Sequence, residues 1–351
     1  MTERYDATQL RAFAAALFRH AGMEAEKAAV VAEVLVEGDL LGHDTHGLAH
    51  LPPYLDALAS GEMTGTGQPE LLSETPVVQT WHGRKLAGPW LVRQASDWAS
   101  EAAKTFGLGA VSIQRAGHIG CLAAYLHRIM ARGQMLLIFS SDPSTASVAP
   151  WGGTRRLFTP NPVAAGWGQG EASVMADISM SITTNAMTAR RRAEGSRFPA
   201  PTLLTADGEA TDDPNAFFTN PAGTLLPLGG VQAGHKGAAL GLLVEALTSG
   251  LSGYGRKDPS AGWGAALLVL VLEPAKFGGA AHFAEEAQWM ADAVHANPAP
   301  PGAEPPRLPG ERGLARRAAQ LAQGVALHPS VPPLLRARAE KAGVAFPAPV
   351  V

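Results

Sequence analysis

The stretch LLGHDTHGLAHLPPYL, residues 41–56, places His43, Asp44, His46 and His50 close together in a chain with 11 histidines. Imidazole titrates near neutrality, so it can hold a metal or move a proton. On a continuous helix His43, His46 and His50 would share one face and form a metal comb. Gly42 and Gly47 bracket the pair and favour a turn instead, and the H-E-x-x-H pattern of a helical metal site is absent. Three readings stay open at this point: a metal site, a general acid, or histidines satisfied by backbone in a helix–turn. A second candidate is RAGHIGCLAAY, 115–125, where His118 sits in a glycine turn between a strand and a helix. Free N–H groups at Gly120, Cys121 and Leu122 are placed to hold an anion there.

MADISMSIT, 175–183, alternates Asp177, Ser179 and Ser181 with apolar Ile178 and Met180, as on a strand with one polar face. Such a face can hydrogen-bond a ribose or an amide; an edge strand with a solvated face is the plainer alternative. GHKGAALGLLVEAL, 234–247, sets His235 and Lys236 before a strong helix signal, where a lysine can meet a phosphate or a carboxylate or simply face solvent. The run RRR at 190–192 could grip a 2′-phosphate, but a charge run is usually a solvated face, and it is left unassigned.

The elements that must position these groups follow from periodicity. Asp6 and Gln9 have capping-box spacing ahead of Leu10, Phe13, Ala14 and Leu17 at helical period, with Gly22 as a stop. Further helices are expected from Glu24 and around Leu51–Leu58. From residue 76 strands and helices alternate: TPVVQTW, LGAVSIQ and QMLLIFSS read as strands, with helices between. SVMADIS is a later strand, and 143–170 together with much of the chain up to 230 reads as irregular. AALLVLVL, 265–272, is far too short to span a bilayer and reads as a buried strand. NPAPPGAEPPRLPG is the clearest linker. The expected organisation is a helical unit over 1–75 that packs with 298–351, and a central α/β unit over 76–297.

The 351 residues are 46% apolar and 17% charged with net charge −3, a globular balance without the basic stripe that nucleic-acid binding needs. The single cysteine, Cys121, excludes a disulfide framework and any zinc site with two cysteine ligands. No apolar leader region follows the N-terminus, so a cytoplasmic protein without a membrane partner is expected. Neither G-x-G-x-x-G nor a Walker A loop is present, so a nucleotide would be bound by another architecture.

Taken in order, GHDTHGL, GHIG, VAPWGG with NPVAAG, DISMS, GHKGAALGLLVEALTSGLSG, EPAKFGG and LPGER, from residue 42 to 312, resemble the type-2 malate/L-lactate dehydrogenases. That family includes hydroxycarboxylate, ureidoglycolate and diketogulonate dehydrogenases and the Δ1-piperideine-2-carboxylate reductases. The resemblance implies an α/β (α+β, mixed-sheet) fold that is not Rossmann, NAD or NADP as cofactor, a small carboxylate substrate, and a homodimer with its site between subunits. It makes His46 or His118 the proton donor, the bet falling on His118 with His46 orienting. It assigns Asp177, Ile178, Ser179, Met180, Ser181 and Lys236 to the cofactor, with Gly120, Cys121, Leu122 and His235 beside them. The late L-P-G-E segment maps to Leu308, Pro309, Gly310 and Glu311. No metal is expected.

There are departures from the family pattern. Ala49 stands where an arginine is expected three residues after the first motif's histidine, which removes a carboxylate clamp. TPNP replaces G-T-N-P, ITTNAMTARRR replaces a G-K-containing string, and AALLVLVL lacks an asparagine found in some hydroxycarboxylate members. The expected reaction is hydride transfer between nicotinamide and a 2-hydroxy or 2-oxo acid, with cyclic imine reduction as runner-up. A metal-dependent hydrolase and a non-catalytic binding protein are the readings from other classes.

Overall fold

The computed structural model describes residues 3–259 and 262–350. A short strand β1 (Arg4–Tyr5) leads into helix α1 (Ala7–His20), and Asp6 caps that helix by accepting from the Gln9 amide at 2.8 Å. Helix α2 (Ala25–Leu41) ends at Gly42 in the left-handed conformation, and α3 (Leu51–Ser60) follows a turn of 3₁₀ helix at Leu48–His50. The helical period predicted for α1 is its packing: Leu10, Phe13, Ala14 and Leu17 are all buried.

The large sheet begins with β2 (Glu70–Glu74) and β3 (Val78–His82), then α4 (Gly88–Phe106), β4 (Leu108–Ala116), α5 (Leu126–Met130) and β5 (Met135–Ser141). It continues with β6 (Val163–Trp167) and β7 (Val174–Ile178). The stretch read as irregular holds α6 (Asn185–Ala193), with Thr184 as its cap, and a small sheet of β8 (Leu203–Leu204), β9 (Ala210–Thr211) and β10 (Thr224–Leu225). The glycine-rich helix α7 (Gly230–Glu245) precedes β11 (Ala265–Leu272). Helices α8 (Ala280–His295) and α9 (Glu311–Gln323), strand β12 (Val325–Ala326) and helix α10 (Val331–Ala342) complete the described chain.

The large sheet runs β2-β3-β4-β11-β5-β6-β7. Only β3 and β4 pair in parallel; β11 is inserted antiparallel between β4 and β5. The sheet is therefore mixed, as expected, and the buried run AALLVLVL is at its centre because neighbours cover both edges and both faces. One core lies between this sheet, α4 and the α5 region. A second is built from α1–α3 together with Val325, Leu327, Val331 and Leu335 of the C-terminal segment. The two ends of the chain pair directly, β1 with β12, and the Val350 amide donates to Arg4 at 2.8 Å. Among the described residues no helix is long and apolar enough to cross a membrane.

Candidate active site

Residues 42–47 leave the helix, so the four acid–base side chains of this segment do not share one face. His43 lies with Cys121 and Asp177, whereas His46 and His50 converge on His118. The turn is held from below by Asp39, which is buried at the end of α2. Its Oδ2 accepts from the Leu48 amide at 2.8 Å, while Oδ1 has no hydrogen-bond partner. Gly47 is required here, since a Cβ at that position would lie 2.3 Å from Asp39 Oδ1. Burial raises the Asp39 carboxyl to about 7, and the nearby Asp44 charge adds to the effect. Gln320 of α9 reaches the same helix end, donating to the Asp39 and Leu40 carbonyls at 2.9 and 3.0 Å.

His118 arrives from the other side, on the loop after β4. Arg115 adopts a left-handed φ of 54° to start that loop. At Gly88, the first residue of α4, a Cβ would sit 2.3 Å from the Gly117 oxygen, so a glycine lets the helix abut the loop. The Tyr54 hydroxyl, projecting from α3, lies 2.8 Å from His118 Nδ1 and 3.0 Å from the His118 carbonyl oxygen. The Gly120 amide reaches the same Nδ1 at 3.3 Å. Nδ1 is thus tied down, and Nε2 is the nitrogen left for a substrate. The His50 and Trp263 rings pack on His118 at centroid distances of 4.5 and 5.5 Å, and His46 stacks at 6.1 Å.

Burial biases these imidazoles toward the uncharged form. Burial lowers His118 well below the usual histidine range, and the neighbouring His50 and His46 add to it. Burial takes His50 down to about 4. Burial also lowers His46, although Asp177 pulls it back upward. Both ring nitrogens of His50 are sealed from solvent with no hydrogen-bond partner. Burial raises the Tyr54 phenol, so it stays a neutral hydrogen-bond group.

Beside the Gly120, Cys121 and Leu122 amides expected to hold an anion, the chain's own Asp177 accepts from the next amide, that of Ala123, at 2.9 Å and lies 3.8 Å from the Cys121 thiol. Burial and the Asp177 charge raise that thiol well above its usual range, so Cys121 is not a thiolate nucleophile. The predicted strand stops at Ile178, which is exposed. Ser179, Met180 and Ser181 form a turn whose hydroxyls bond within it: Ser179 Oγ donates to the Ser181 carbonyl at 2.7 Å, and Ser181 Oγ to that of Thr183 at 2.6 Å. The alternating polar face expected over Asp177–Ser181 is therefore limited to Asp177, because the hydroxyls are used to shape the turn. Met180 is buried, and its carbonyl accepts from the Leu228 amide at 2.9 Å. This ties the turn to the start of α7. Helix α7 is broken at Ala233 (φ −128°), so His235 and Lys236 stand in the first turn of the segment after the kink, as expected; both are exposed, and the Trp151 ring stands edge-on to His235. Among the described residues, Gly310 and Glu311 make no hydrogen bond or ion pair to His46, His50 or His118. Pro309 accepts from the Met175 amide of β7 at 2.9 Å, while Glu311 accepts from the Leu308 amide and faces His295.

Sequence reasoning passed over four contributors. Tyr54 follows His50 at i+4 on a helix, a spacing that signals a shared face. His50 itself is weighed there only as part of a helical metal comb with His43 and His46, not as a neighbour of His118. Trp263 and Asp39 carry no local signal, being brought in by tertiary packing. Ala49, where a clamp was expected to be lost, packs against the helical core, so His50 is what this segment sends into the crevice. Arg190 of the unassigned run pairs with Asp44 at 3.2 Å.

The family model for malate/L-lactate dehydrogenase matches residues 5–335. The chain belongs to the malate/L-lactate dehydrogenase family. It is 32% identical over 326 residues to the L-lactate dehydrogenase of Cupriavidus necator, covering 90% of this chain and 91% of that one. Its fold superposes on a malate dehydrogenase from Entamoeba histolytica with a TM-score of 0.93 at 22% identity, covering 99% and 100% of the two chains. A Δ1-piperideine-2-carboxylate reductase from Pseudomonas syringae superposes with a TM-score of 0.84 at 26% identity, covering 96% and 100%. Membership makes this protein an NAD(P)-dependent dehydrogenase, in agreement with the non-Rossmann fold expected of it.

Proposed function

We propose that the protein interconverts a small 2-hydroxy acid and its 2-oxo acid, with His118 Nε2 moving the proton and His46 orienting the reacting group. The observation that carries this reading is the anchoring of His118 Nδ1 by Tyr54 and Gly120, which leaves its other nitrogen free within the cluster of His46 and His50. The orphaned nitrogens of His50 in that cluster fit a polar substrate or an amide-bearing ring. The start of α7 carries no side-chain cap, and Lys236 near it has no ion-pair partner among the described residues, which fits a cofactor phosphate. When bound, the nicotinamide supplies the hydride acceptor or donor.

In the oxidising direction a neutral His118 that carries its proton on Nδ1, donated to the Tyr54 oxygen, accepts the hydroxyl proton on Nε2 as the carbonyl forms; in the reducing direction Nε2 returns it. A positioned acid–base group of this kind contributes about 10²–10⁴ in rate. Alignment of two bound molecules supplies much of the remainder. His118→Ala should therefore cut turnover by about 10²-fold or more while leaving NAD(P)H binding near its original affinity. Equal loss of both would remove the proton-transfer role.

Reduction of a cyclic imine carboxylate is the second reading. The Pseudomonas syringae relative supports it, and so does a crevice whose histidines are perturbed by other histidines and carboxylates and by no arginine or lysine. A spectrophotometric screen of 2-oxo acids and Δ1-piperideine-2-carboxylate with NADH and NADPH separates the two.

The crevice gathers side chains from two parts of the chain, which supports a helical unit closed by the C-terminal segment and a central α/β unit. The pairing of β2 with β3 supports a boundary between the two units before Glu70. A homodimer fits the apolar side chains left on α7 and its continuation, where Val231, Leu242, Leu243 and Leu251 are each more than half exposed. Light scattering on the purified chain tests it. The reading carries a cytoplasmic location with it, where a lone thiol such as Cys121 stays reduced.

A further inference from the structure

We propose that His46, His50 and His118 form a binding site for a divalent transition-metal ion of the zinc class, which occupies the crevice in place of substrate. One ring nitrogen from each of the three lies within 4.8 Å of the others. Zinc bound by three imidazoles at 2.0–2.1 Å sets its ligand nitrogens about 3.3 Å apart, so the rings need to close by no more than about 1.5 Å. The three rings already touch one another, with centroids 4.5, 5.4 and 6.1 Å apart, so small side-chain rotations suffice.

Two further observations point to a ligand here. His50 buries both ring nitrogens with no partner, an uncommon condition in a folded interior that a bound group relieves. The other two rings have an outer hydrogen bond of the kind that orients metal-bound histidines. His46 Nδ1 meets Thr45 Oγ1 at 2.9 Å; His118 Nδ1 meets the Tyr54 oxygen at 2.8 Å and can donate to it, since the Tyr54 proton goes to the His118 carbonyl, with the longer 3.3 Å Gly120 contact given up on metal binding. Each anchor leaves Nε2 as the free nitrogen. Three protein ligands leave a fourth position open to water or a substrate oxygen.

The neighbouring grouping of His43, Cys121 and Asp177 is the weaker competitor, because the Asp177 carboxylate already accepts from the Ala123 amide. Metal occupancy uses the same Nε2 that transfers the proton, so the ion opposes turnover. The geometry stands whichever substrate the enzyme takes.

The test uses the full chain, stripped with a chelator and titrated with cobalt(II) while visible absorption is recorded, then displaced with zinc. One cobalt per chain with the intense bands of a low-coordinate site is expected. His50→Ala and the closer-fitting His50→Gln should each weaken binding by about 100-fold or more, exceeding the effect of losing an outer partner. Circular dichroism and NADH binding confirm that these variants keep their fold. Cys121→Ser should leave the spectrum unchanged. A spectrum indifferent to His50, or a sulfur-to-cobalt band lost in Cys121→Ser, overturns the assignment, as does a weak six-coordinate spectrum.

Discussion

Replacing Asp39 with asparagine tests how the histidine turn is held. Asp39 is buried, gives one oxygen to the Leu48 amide and leaves the other without a partner beside Gly47. Burial raises its carboxyl from 3.8 to about 7. The native state therefore keeps a proton that the unfolded chain gives up near pH 4. Stability from this group is fully present below the unfolded value, falls as pH rises from about 4, and is gone above about 7. At 1.36 kcal/mol per pKa unit, the shift corresponds to a loss of the order of 4 kcal/mol across that window. Asparagine keeps an oxygen for Leu48 and cannot ionise, but it sets a buried NH₂ group where Oδ1 now stands without a partner, at a cost of about 1–3 kcal/mol if those donors stay unpaired. The variant should be the less stable protein at pH 4.5 and equal or exceed the parent at pH 8. Guanidinium unfolding of both proteins at matched concentration, from pH 4.5 to 8.5, measures the difference curve. Parallel curves would mean that Asp39 ionises in the ordinary range, and the account of a neutral buried anchor would fail.

Other perturbations follow from the same geometry. Tyr54→Phe removes one hydrogen-bond group from His118 and should lower kcat about 3- to 10-fold with cofactor affinity unchanged; steady-state kinetics reads the split. Gly88→Ala drives a methyl into the Gly117 carbonyl and should cost about 1–3 kcal/mol while misplacing His118, seen as a lower melting temperature together with lower kcat. His50 titrates at about 4 in the native state, so the stability it contributes is complete above about pH 6.5 and is lost as pH falls toward 4. His50→Gln should flatten that acid limb by about 3 kcal/mol, and an unchanged slope in denaturant melts would contradict its burial as a neutral ring.

The helices and central strands were legible because their signals are local. The Asp6 cap, the period of Leu10–Leu17 and the uninterrupted run at 265–272 each encode an environment within a few neighbours. The turn at residues 42–47 was legible from its two glycines, and His46 and His118 from motif and setting. What was not legible depends on distant partners. Asp177 reads as a free carboxylate until the Ala123 amide is brought to it across 54 positions. Ser179 and Ser181 look available for a ligand, yet they spend their hydroxyls on their own backbone. The tandem arginines concealed the N-terminus of α6, whose cap, Thr184, is an unremarkable residue in sequence. His50 reads only as a tooth of a helical metal comb, since nothing local says that both its nitrogens will be buried without a hydrogen-bond partner beside His118.

The pairing of β1 with β12 has a consequence for synthesis. Tyr5 and Phe13 stack edge-on against Phe346, and Gln320 holds the end of the helix that carries Asp39. On leaving the ribosome α1 and α2 must wait, with their apolar faces uncovered, for partners such as Gln320, made 281 positions after Asp39. Until those arrive, the nascent chain holds the imidazole pocket half-assembled, and a chaperone that shields exposed helices has its longest opportunity here.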